Sequence, residues 1–258
     1  MKIILKTLKW LIITLFASVF LLLLFLLLDA GAQKEIPTFD PTQVIAIKEY
    51  QAPEDSSLYD SLFASYGTNK ELPKGFELQA LIALSHYPEL VETPIEFRIE
   101  PAFIPLSSRP DPITVVFPWI KRKYLVVISN ESADFFEPIL MHNLPFNEQI
   151  GVVGHELAHT VFYLDKSSLQ LAQIAYQYEY NNEYKIPFER ETDQRAILHG
   201  LGYQLYDYSF FTQKSFGRSL EEIKAMEGNM YLGPTEITRE MERYEFYRDT
   251  LDTPESYF

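Results

Sequence analysis

The sequence predicts an α+β fold in which a small sheet packs on a mainly helical domain, preceded by one transmembrane helix. After two short helical segments, strand patterns occupy residues 95–129, and helical patterns dominate residues 147–244. Strands and helices that are segregated along a chain are typical of α+β domains. A hydrophobic content of 47% with 15% aromatic residues is sufficient for a sizeable core. An uninterrupted apolar run near the N-terminus adds the membrane segment.

The membrane candidate is the run Trp10 to Leu28. It contains 19 residues, of which only Thr14 and Ser18 are polar. As a helix it spans about 28 Å, close to the thickness of the hydrocarbon layer of a bilayer. Three lysines precede it, so the positive-inside rule predicts a cytoplasmic N-terminus and an extracytoplasmic C-terminal domain, periplasmic or extracellular. We therefore expect residues 1–32 to hold a single-pass anchor.

A cleaved signal peptide is the alternative interpretation of the same segment. Ala30-Gly31-Ala32 fits an A-x-A cleavage site, and cleavage near Ala32 would release a secreted protein. The apolar run is longer than the roughly 7–15 residues of a signal peptide's hydrophobic region. This length favours the uncleaved anchor.

Charge and cysteine content exclude several classes of function. Beyond residue 32 the chain holds 19 of the 22 basic residues and 35 of the 36 acidic residues, a net charge of −16. Such a domain repels polyanions, so we expect no nucleic-acid partner. The absence of cysteine excludes disulfides, iron–sulfur clusters, thiolate metal sites and cysteine nucleophiles.

The first part of the extracytoplasmic region is predicted to be an extended connection. Residues 33–53 contain three prolines and are expected to form a stalk or lead-in, with one short strand at residues 44–47. Residues 54–258 are expected to form the folded domain. Its first elements are predicted to be short helices at residues 57–66 and 76–86.

Three segments have strand patterns. Residues 95–100 alternate between apolar and charged side chains, as expected for a half-buried strand. Residues 113–117 and 124–129 are apolar on both faces, as expected for interior strands. The basic triplet Lys121-Arg122-Lys123 between them is predicted to be a solvated turn.

The central motif is GVVGHELAHT, which places His155 and His159 four residues apart with Glu156 after the first. On an α-helix such positions share one face, so two imidazoles can point at one ion. This H-E-x-x-H arrangement is that of zinc peptidases, where the metal acidifies a water molecule and the glutamate takes its proton. The helix is expected to run to about Tyr163, with Asn147 as its N-cap.

A third ligand is needed, and the chain offers three carboxylates on a later helix. Pro187 suits the first turn of that helix. Glu189 and Asp193 share a face, whereas Glu191 points to the opposite side. A ligand at Glu189 with Asp193 one turn later supplies both a metal-binding oxygen and an acceptor for the second N–H of a ligand histidine. Glu189 is therefore the predicted third ligand.

These residues resemble the gluzincin metallopeptidases, and the stretch ERETDQRA is most similar to the heat-shock and CAAX-prenyl endopeptidase group. The resemblance implies Zn²⁺ bound by His155, His159 and Glu189. It also implies catalysis by Glu156 and orientation of a histidine by Asp193.

The resemblance covers about residues 147–200. The chain departs from that endopeptidase group at Thr192, where alanine is usual, and in having one membrane segment rather than several.

The remaining helices are predicted from spacing and capping. Residues 167–183 are expected to form one helix whose tyrosines serve packing rather than a cofactor. The Glu189 helix is expected to end near Gly200. Ser219 with Glu222 fits a capping box. A last helix is expected at residues 235–244, and residues 248–258 have no evident fold.

Together the motifs predict a membrane-anchored, outward-facing zinc peptidase that acts on a peptide or protein substrate. The oxyanion donor is not defined by the sequence, since His142, His199 and Tyr231 are all conceivable, while His86 is predicted to be structural. Residues 124–129 are a candidate edge strand for pairing with an extended substrate. The alternative function is a non-catalytic, membrane-tethered scaffold that binds metal or a partner.

Overall fold

A computed structural model describes residues 2–27, 36–52, 56–117 and 119–248. The fold is α+β, as predicted, with a four-stranded mixed sheet, a mainly helical body and one N-terminal apolar helix. The helices are α1 (Lys2–Leu27), α2 (Ser57–Tyr66), α3 (Glu77–Ser85), α4 (Pro112–Val116), α5 (Phe146–Tyr163), α6 (Ser168–Tyr180), α7 (Asn182–Ala196), α8 (Gly202–Ser215), α9 (Leu220–Lys224), α10 (Pro234–Met241) and α11 (Glu245–Arg248). The strands are β1 (Lys70–Glu71), β2 (Ile95–Glu100), β3 (Leu106–Pro110) and β4 (Tyr124–Ser129).

The sheet has the strand order β1-β2-β4-β3. β1 pairs with β2 and β2 with β4 in parallel, and β3 pairs with β4 in antiparallel register. Every residue of β4 is buried, as its continuous apolar run predicts. The predicted strands at residues 95–100 and 124–129 are confirmed.

The proposed role of residues 124–129 as an edge strand is wrong. β4 lies inside the sheet with a partner on each side, so its backbone is not available to a substrate. The edge position beside it belongs to β3, whose sequence LSSRP is too polar to give a strand pattern. Pro110 is compatible with this place because an edge strand tolerates a missing N–H.

The predicted strand at residues 113–117 is also wrong, because this segment forms the short helix α4. The side chain of Asp111 caps the helix by accepting a hydrogen bond of 2.9 Å from the N–H of Ile113. Pro112 occupies the first turn, where its fixed φ suits a helix. The helix start formed by Asp111 and Pro112 outweighs the preference of the β-branched residues for a strand. Ile113 is accordingly 61% exposed and not buried in a sheet.

Helix α5 is the central element of the body and packs against α3, α7, α8 and β3. Its predicted extent is confirmed, but Pro145 rather than Asn147 is the N-cap. The side chain of Asn147 instead accepts a hydrogen bond from the N–H of Tyr50 and donates to Asp207. At Gly151 the backbones of α5 and α8 come so close that an added Cβ would lie 2.2 Å from the carbonyl oxygen of Gln204.

The predicted helix at residues 167–183 and the predicted Glu189 helix correspond to α6 and α7, but the break between them lies at Asn181, earlier than predicted. α6 ends at Tyr180, and the side chain of Asn181 caps α7 by accepting from the N–H of Glu183. Pro187 therefore lies inside α7 and not in its first turn. The Glu189 helix ends near Gly200, as predicted, because Gly200 has a left-handed φ of 89° that kinks the chain, and α8 begins directly afterwards at Gly202.

Residues 36–52 lie along the body without forming the predicted strand at residues 44–47. We call residues 36–52 the strap. The side-chain amide of Gln204 donates to the carbonyl of Ile47, and Phe39 stacks on His199 with ring centroids 3.9 Å apart. The strap is thereby held against α5 and α8.

The basic triplet is only partly a solvated turn. Arg122 is buried and donates to the carbonyl of Lys166 and to the hydroxyl of Ser168, so that it ties the sheet to the start of α6. Lys123 is ion-paired with Glu96.

The capping box of Ser219 and Glu222 is confirmed at the start of α9, and the predicted last helix corresponds to α10. The tail from residue 249 and the cleavage site at residues 30–32 lie outside the described residues.

Within the described residues, one helix is long and apolar enough to cross a membrane. Its residues Lys6–Leu24 have a mean hydropathy of 2.2. A signal sequence can have the same length and hydropathy. This helix, α1, approaches α6 of the body.

Candidate metal centre

Helices α5 and α7 bring the three predicted ligands together. The Oε2 atom of Glu189 lies 3.2 Å from the Nε2 atom of His155 and 3.2 Å from the Nε2 atom of His159. All three ligand atoms lie within 4.8 Å of one another, and all three residues are buried. The arrangement follows from the four-residue spacing on α5 and from a single helix–helix contact with α7.

The donor set fits a tetrahedral metal ion. Bonds of roughly 2.0–2.2 Å to nitrogen and oxygen at tetrahedral angles place neighbouring ligand atoms about 3.3 Å apart. The two measured separations of 3.2 Å match this edge length. Oε2 of Glu189 is also a buried atom without a hydrogen-bond partner. A buried carboxylate oxygen that faces two imidazole nitrogens is expected to bind a cation.

Both imidazoles are oriented by residues of α7. The Nδ1–H of His155 donates to Oδ1 of Asp193 over 2.8 Å. Nδ1 of His159 lies 3.2 Å from the hydroxyl of Thr192, which itself donates to the carbonyl of Phe188 over 2.9 Å. Because that hydroxyl has only one hydrogen, it accepts from His159. Each ring therefore carries its hydrogen on Nδ1 and presents the lone pair of Nε2 to the centre.

Glu189 is fixed by a tyrosine that the sequence did not single out for this purpose. The hydroxyl of Tyr178 on α6 donates to Oε1 of Glu189, which leaves Oε2 facing the histidines. Glu189 is only 1% exposed. Tyr178 was predicted to be a packing residue, and no local pattern distinguishes it from the neighbouring tyrosines.

The charges of the cluster are strongly coupled. Burial opposes ionisation of Glu189, but the adjacent imidazoles of His155 and His159 outweigh it and lower the pKa of the carboxyl. Burial likewise opposes protonation of His155, yet the neighbouring carboxylates of Asp193 and Glu189 raise its pKa well above 6.5. Positive charge is thus favoured among these carboxylates, and a metal cation would supply it in place of a proton.

Glu156 adjoins the cluster as a separate group. It is buried, and its Oε2 atom has no hydrogen-bond partner. Burial raises the pKa of Glu156, partly offset by the nearby imidazoles and by a hydrogen bond from the backbone of Ser108 in β3. A carboxyl whose pKa is shifted towards neutrality is suited to exchange protons at neutral pH.

A loop before α10 completes the surroundings. The backbone N–H of Leu232 donates to Oδ2 of Asp193 over 2.8 Å, so Asp193 connects this loop to His155. The ring of Tyr231 lies 5.6 Å from the ring of His155. Among the three conceivable oxyanion donors, Tyr231 is the one beside the cluster.

The other two conceivable donors lie elsewhere. His199 bonds through Nε2 to Glu89 and through Nδ1 to the carbonyl of Arg195, which makes it a satisfied structural residue. His142 is half exposed and pairs with Glu137. His86, predicted to be structural, bridges Tyr50 and the carbonyl of His199.

Comparison with models of known protein families, with curated proteins and with solved structures finds no match for this chain. The interpretation of the site therefore rests on its geometry.

Proposed function

We propose that this protein is a zinc-dependent peptidase, anchored in a membrane by α1 with its folded domain on the extracytoplasmic side. The observation that supports this most strongly is the buried cluster of His155, His159 and Glu189 with Glu156 beside it. Gluzincin-type chemistry, suggested by the H-E-x-x-H and E-x-x-x-D spacing, is part of the proposal.

The donor set favours zinc over magnesium and calcium. Two imidazoles and one carboxylate form the ligand set of many catalytic zinc sites, whereas magnesium and calcium prefer oxygen ligands alone. Within the part of the chain that the structure describes, the cluster has three protein ligands. Structural zinc sites are usually closed by a fourth protein ligand, so a three-ligand site favours catalysis.

The residues around the cluster have distinct tasks in peptide hydrolysis. Zinc, when bound, would supply a Lewis acid that lowers the pKa of water towards about 7. Glu156 accepts the proton of that water and delivers it to the departing amine. Asp193 and Thr192 keep the two imidazoles in one tautomer during this step. Tyr231, whose ring lies beside that of His155, is the proposed donor to the developing oxyanion.

The edge strand β3 is a suitable surface for an extended peptide. The hydrogen bond from the N–H of Asp111 to the carbonyl of Lys123 continues the ladder between β3 and β4. In an antiparallel ladder every second residue turns its N–H and C=O outward, and this alternation places Ser108 on the outward side. The outward N–H of Ser108 already donates to Glu156, so a peptide that pairs with the outward carbonyl of Ser108 would pass close to the proposed base.

The test compares the full chain with its Glu156→Gln variant, and Glu191→Gln serves as the control because Glu191 is exposed on the far side of α7. Zinc per chain is measured after metal loading, and cleavage is followed on a diverse peptide library. All three proteins are expected to bind one zinc ion. Wild type and Glu191→Gln should cleave, and Glu156→Gln should lose about 10²–10⁴-fold in rate.

Two results would contradict the proposal. Equal cleavage by wild type and Glu156→Gln would refute Glu156 as the base. A zinc-loaded wild type that cleaves no peptide would refute the peptidase and support the non-catalytic scaffold.

A further inference from the structure

An exposed apolar surface lies on α4 and the turn that follows it. Ile113 is 61% exposed and Trp119 is 65% exposed. The side chains that form this surface, here named the α4 surface, are Ile113, Val116, Phe117, Trp119 and Ile120. The rings of Phe117 and Trp119 lie together, with centroids 5.1 Å apart. Soluble surfaces seldom expose so many large apolar groups in one short segment unless they bind something.

The charge of this segment suits the surface of a bilayer. Residues 112–123 contain no acidic residue, although the region from residue 33 onwards carries a net charge of −16. Lys123 is engaged by Glu96 and Arg122 is buried, which leaves Lys121 as the exposed cation of the segment, so attraction to anionic headgroups plays a small part. Apolar burial is the main driving force, and the segment lacks the acidic groups that would oppose it.

The position of the α4 surface relative to α1 indicates what covers it. α4 packs against α6, and α1 approaches the same helix. Only eight residues separate Leu27 from Ile36. Such a connection spans at most about 30 Å, and the strap beyond it is held against the body. A bilayer crossed by α1 is therefore always within reach of the domain.

We propose that the α4 surface docks on the lipid bilayer that α1 crosses. Ile113, Val116 and Ile120 enter the boundary between headgroups and acyl chains, and Trp119 lies at the interface that tryptophan prefers. Because β3 leads from Ser108 into α4 within four residues, this contact holds the candidate site close to the membrane. The proposal rests on α1 being retained as an anchor, and it does not depend on peptidase activity.

The test uses tryptophan quenching by lipids. The chain has two tryptophans, so Trp10→Phe leaves Trp119 as the sole reporter. The full-length protein is reconstituted in phosphatidylcholine vesicles with and without brominated acyl chains. Trp119 is expected to lose most of its emission in brominated vesicles.

A reporter away from the α4 surface provides the control. Ile45 on the strap is 74% exposed, and its carbonyl lies beside Gly200, next to the contact of Leu201 with Gly154 in the middle of α5. Arg122, which follows the α4 surface, contacts Lys166 just beyond the C-terminal end of α5, and the 12 residues from Gly154 to Lys166 correspond to about 18 Å along a helix axis. A chain with Ile45→Trp and both native tryptophans changed to Phe should show little quenching. An added Ile113→Glu should reduce the quenching of Trp119 to that level, whereas Ile45→Glu should not.

Three other outcomes would each refute a specific part of the docking proposal. Equal quenching of the two reporters would refute bilayer contact by the α4 surface. Protection of Trp119 that appears only at high protein-to-lipid ratios would assign the surface to a second copy of the chain. An intact chain that does not float with vesicles would refute the anchor and the docking proposal together. None of these results bears on peptide cleavage, which is measured separately.

Discussion

Changing Asp193 to Asn tests whether the candidate site depends on the contacts that orient its histidines. Asp193 accepts one hydrogen bond from Nδ1 of His155 and a second from the N–H of Leu232, each 2.8 Å long and each to a different oxygen. An amide of the same shape has only one accepting oxygen. In the variant, one of the two donors must therefore face an NH₂ group.

The expected loss follows from that mismatch. A buried donor left without an acceptor costs about 1–3 kcal/mol. If His155 loses the bond, its Nδ1 hydrogen is no longer fixed, and replacement of such an orienting residue typically weakens metal binding by about 10–100-fold. This factor corresponds to about 1.4–2.7 kcal/mol. The cost of the unpaired donor and the loss of binding free energy are of similar size, so we expect zinc affinity to fall by about 10–100-fold.

Zinc affinity is measured by competition with a chromophoric chelator on the full chain. Glu191→Gln is the matched control, because it makes the same chemical change two residues earlier on the exposed side of α7. The control should bind zinc as wild type does. If Asp193→Asn remains folded and binds zinc with unchanged affinity, the proposed orienting role of Asp193 is refuted.

Three further predictions concern the site and the body. Tyr178→Phe removes the donor to Oε1 of Glu189 and should weaken zinc binding about 10-fold in the same assay, as expected for an orienting contact. Gly151→Ala forces a Cβ against the carbonyl of Gln204 and should lower the free energy of unfolding in urea by at least about 1–3 kcal/mol. Burial lowers the pKa of His86 from 6.5 to about 4. The unfolded chain then binds the extra proton between these values, so stability should fall by up to about 3 kcal/mol as the pH falls from 6.5 through 4. His86→Gln should flatten this dependence.

The sequence predicts those helices and strands whose conformation is determined by their own residues and not by a neighbouring element. The alternation of residues 95–100 and the apolar run of residues 124–129 each identified a strand, since burial on one or both faces is visible in the sequence. Strand β3 was missed because its polar residues and Pro110 form a strand only through pairing with β4. The apolar, β-branched residues of α4 predict a strand, but the Asp111-Pro112 pair before them starts a helix, and this local signal determines the structure.

In the candidate site, too, some residues can be predicted from local spacing and others cannot. The spacing of His155 and His159 follows from the helix period, and the choice of Glu189 over Glu191 follows from helical phase. The contributions of Thr192 and Tyr178 arise where two helices meet, so no single segment contains the signal. Thr192, noted in the sequence as a departure from the endopeptidase group, holds His159 in place.

The geometry of the candidate site depends mainly on the contact between α5 and α7. Glu189, Thr192 and Asp193 occupy positions i, i+3 and i+4, so one face of α7 supplies the carboxylate and the partners of both histidines. A shift of α7 along α5 would break all three interactions at once. The short kink at Gly200 after α7 opposes such a shift, because it leads directly into α8, whose backbone lies against Gly151 of α5. The same close packing that makes Gly151 intolerant of a side chain therefore keeps the ligands in register.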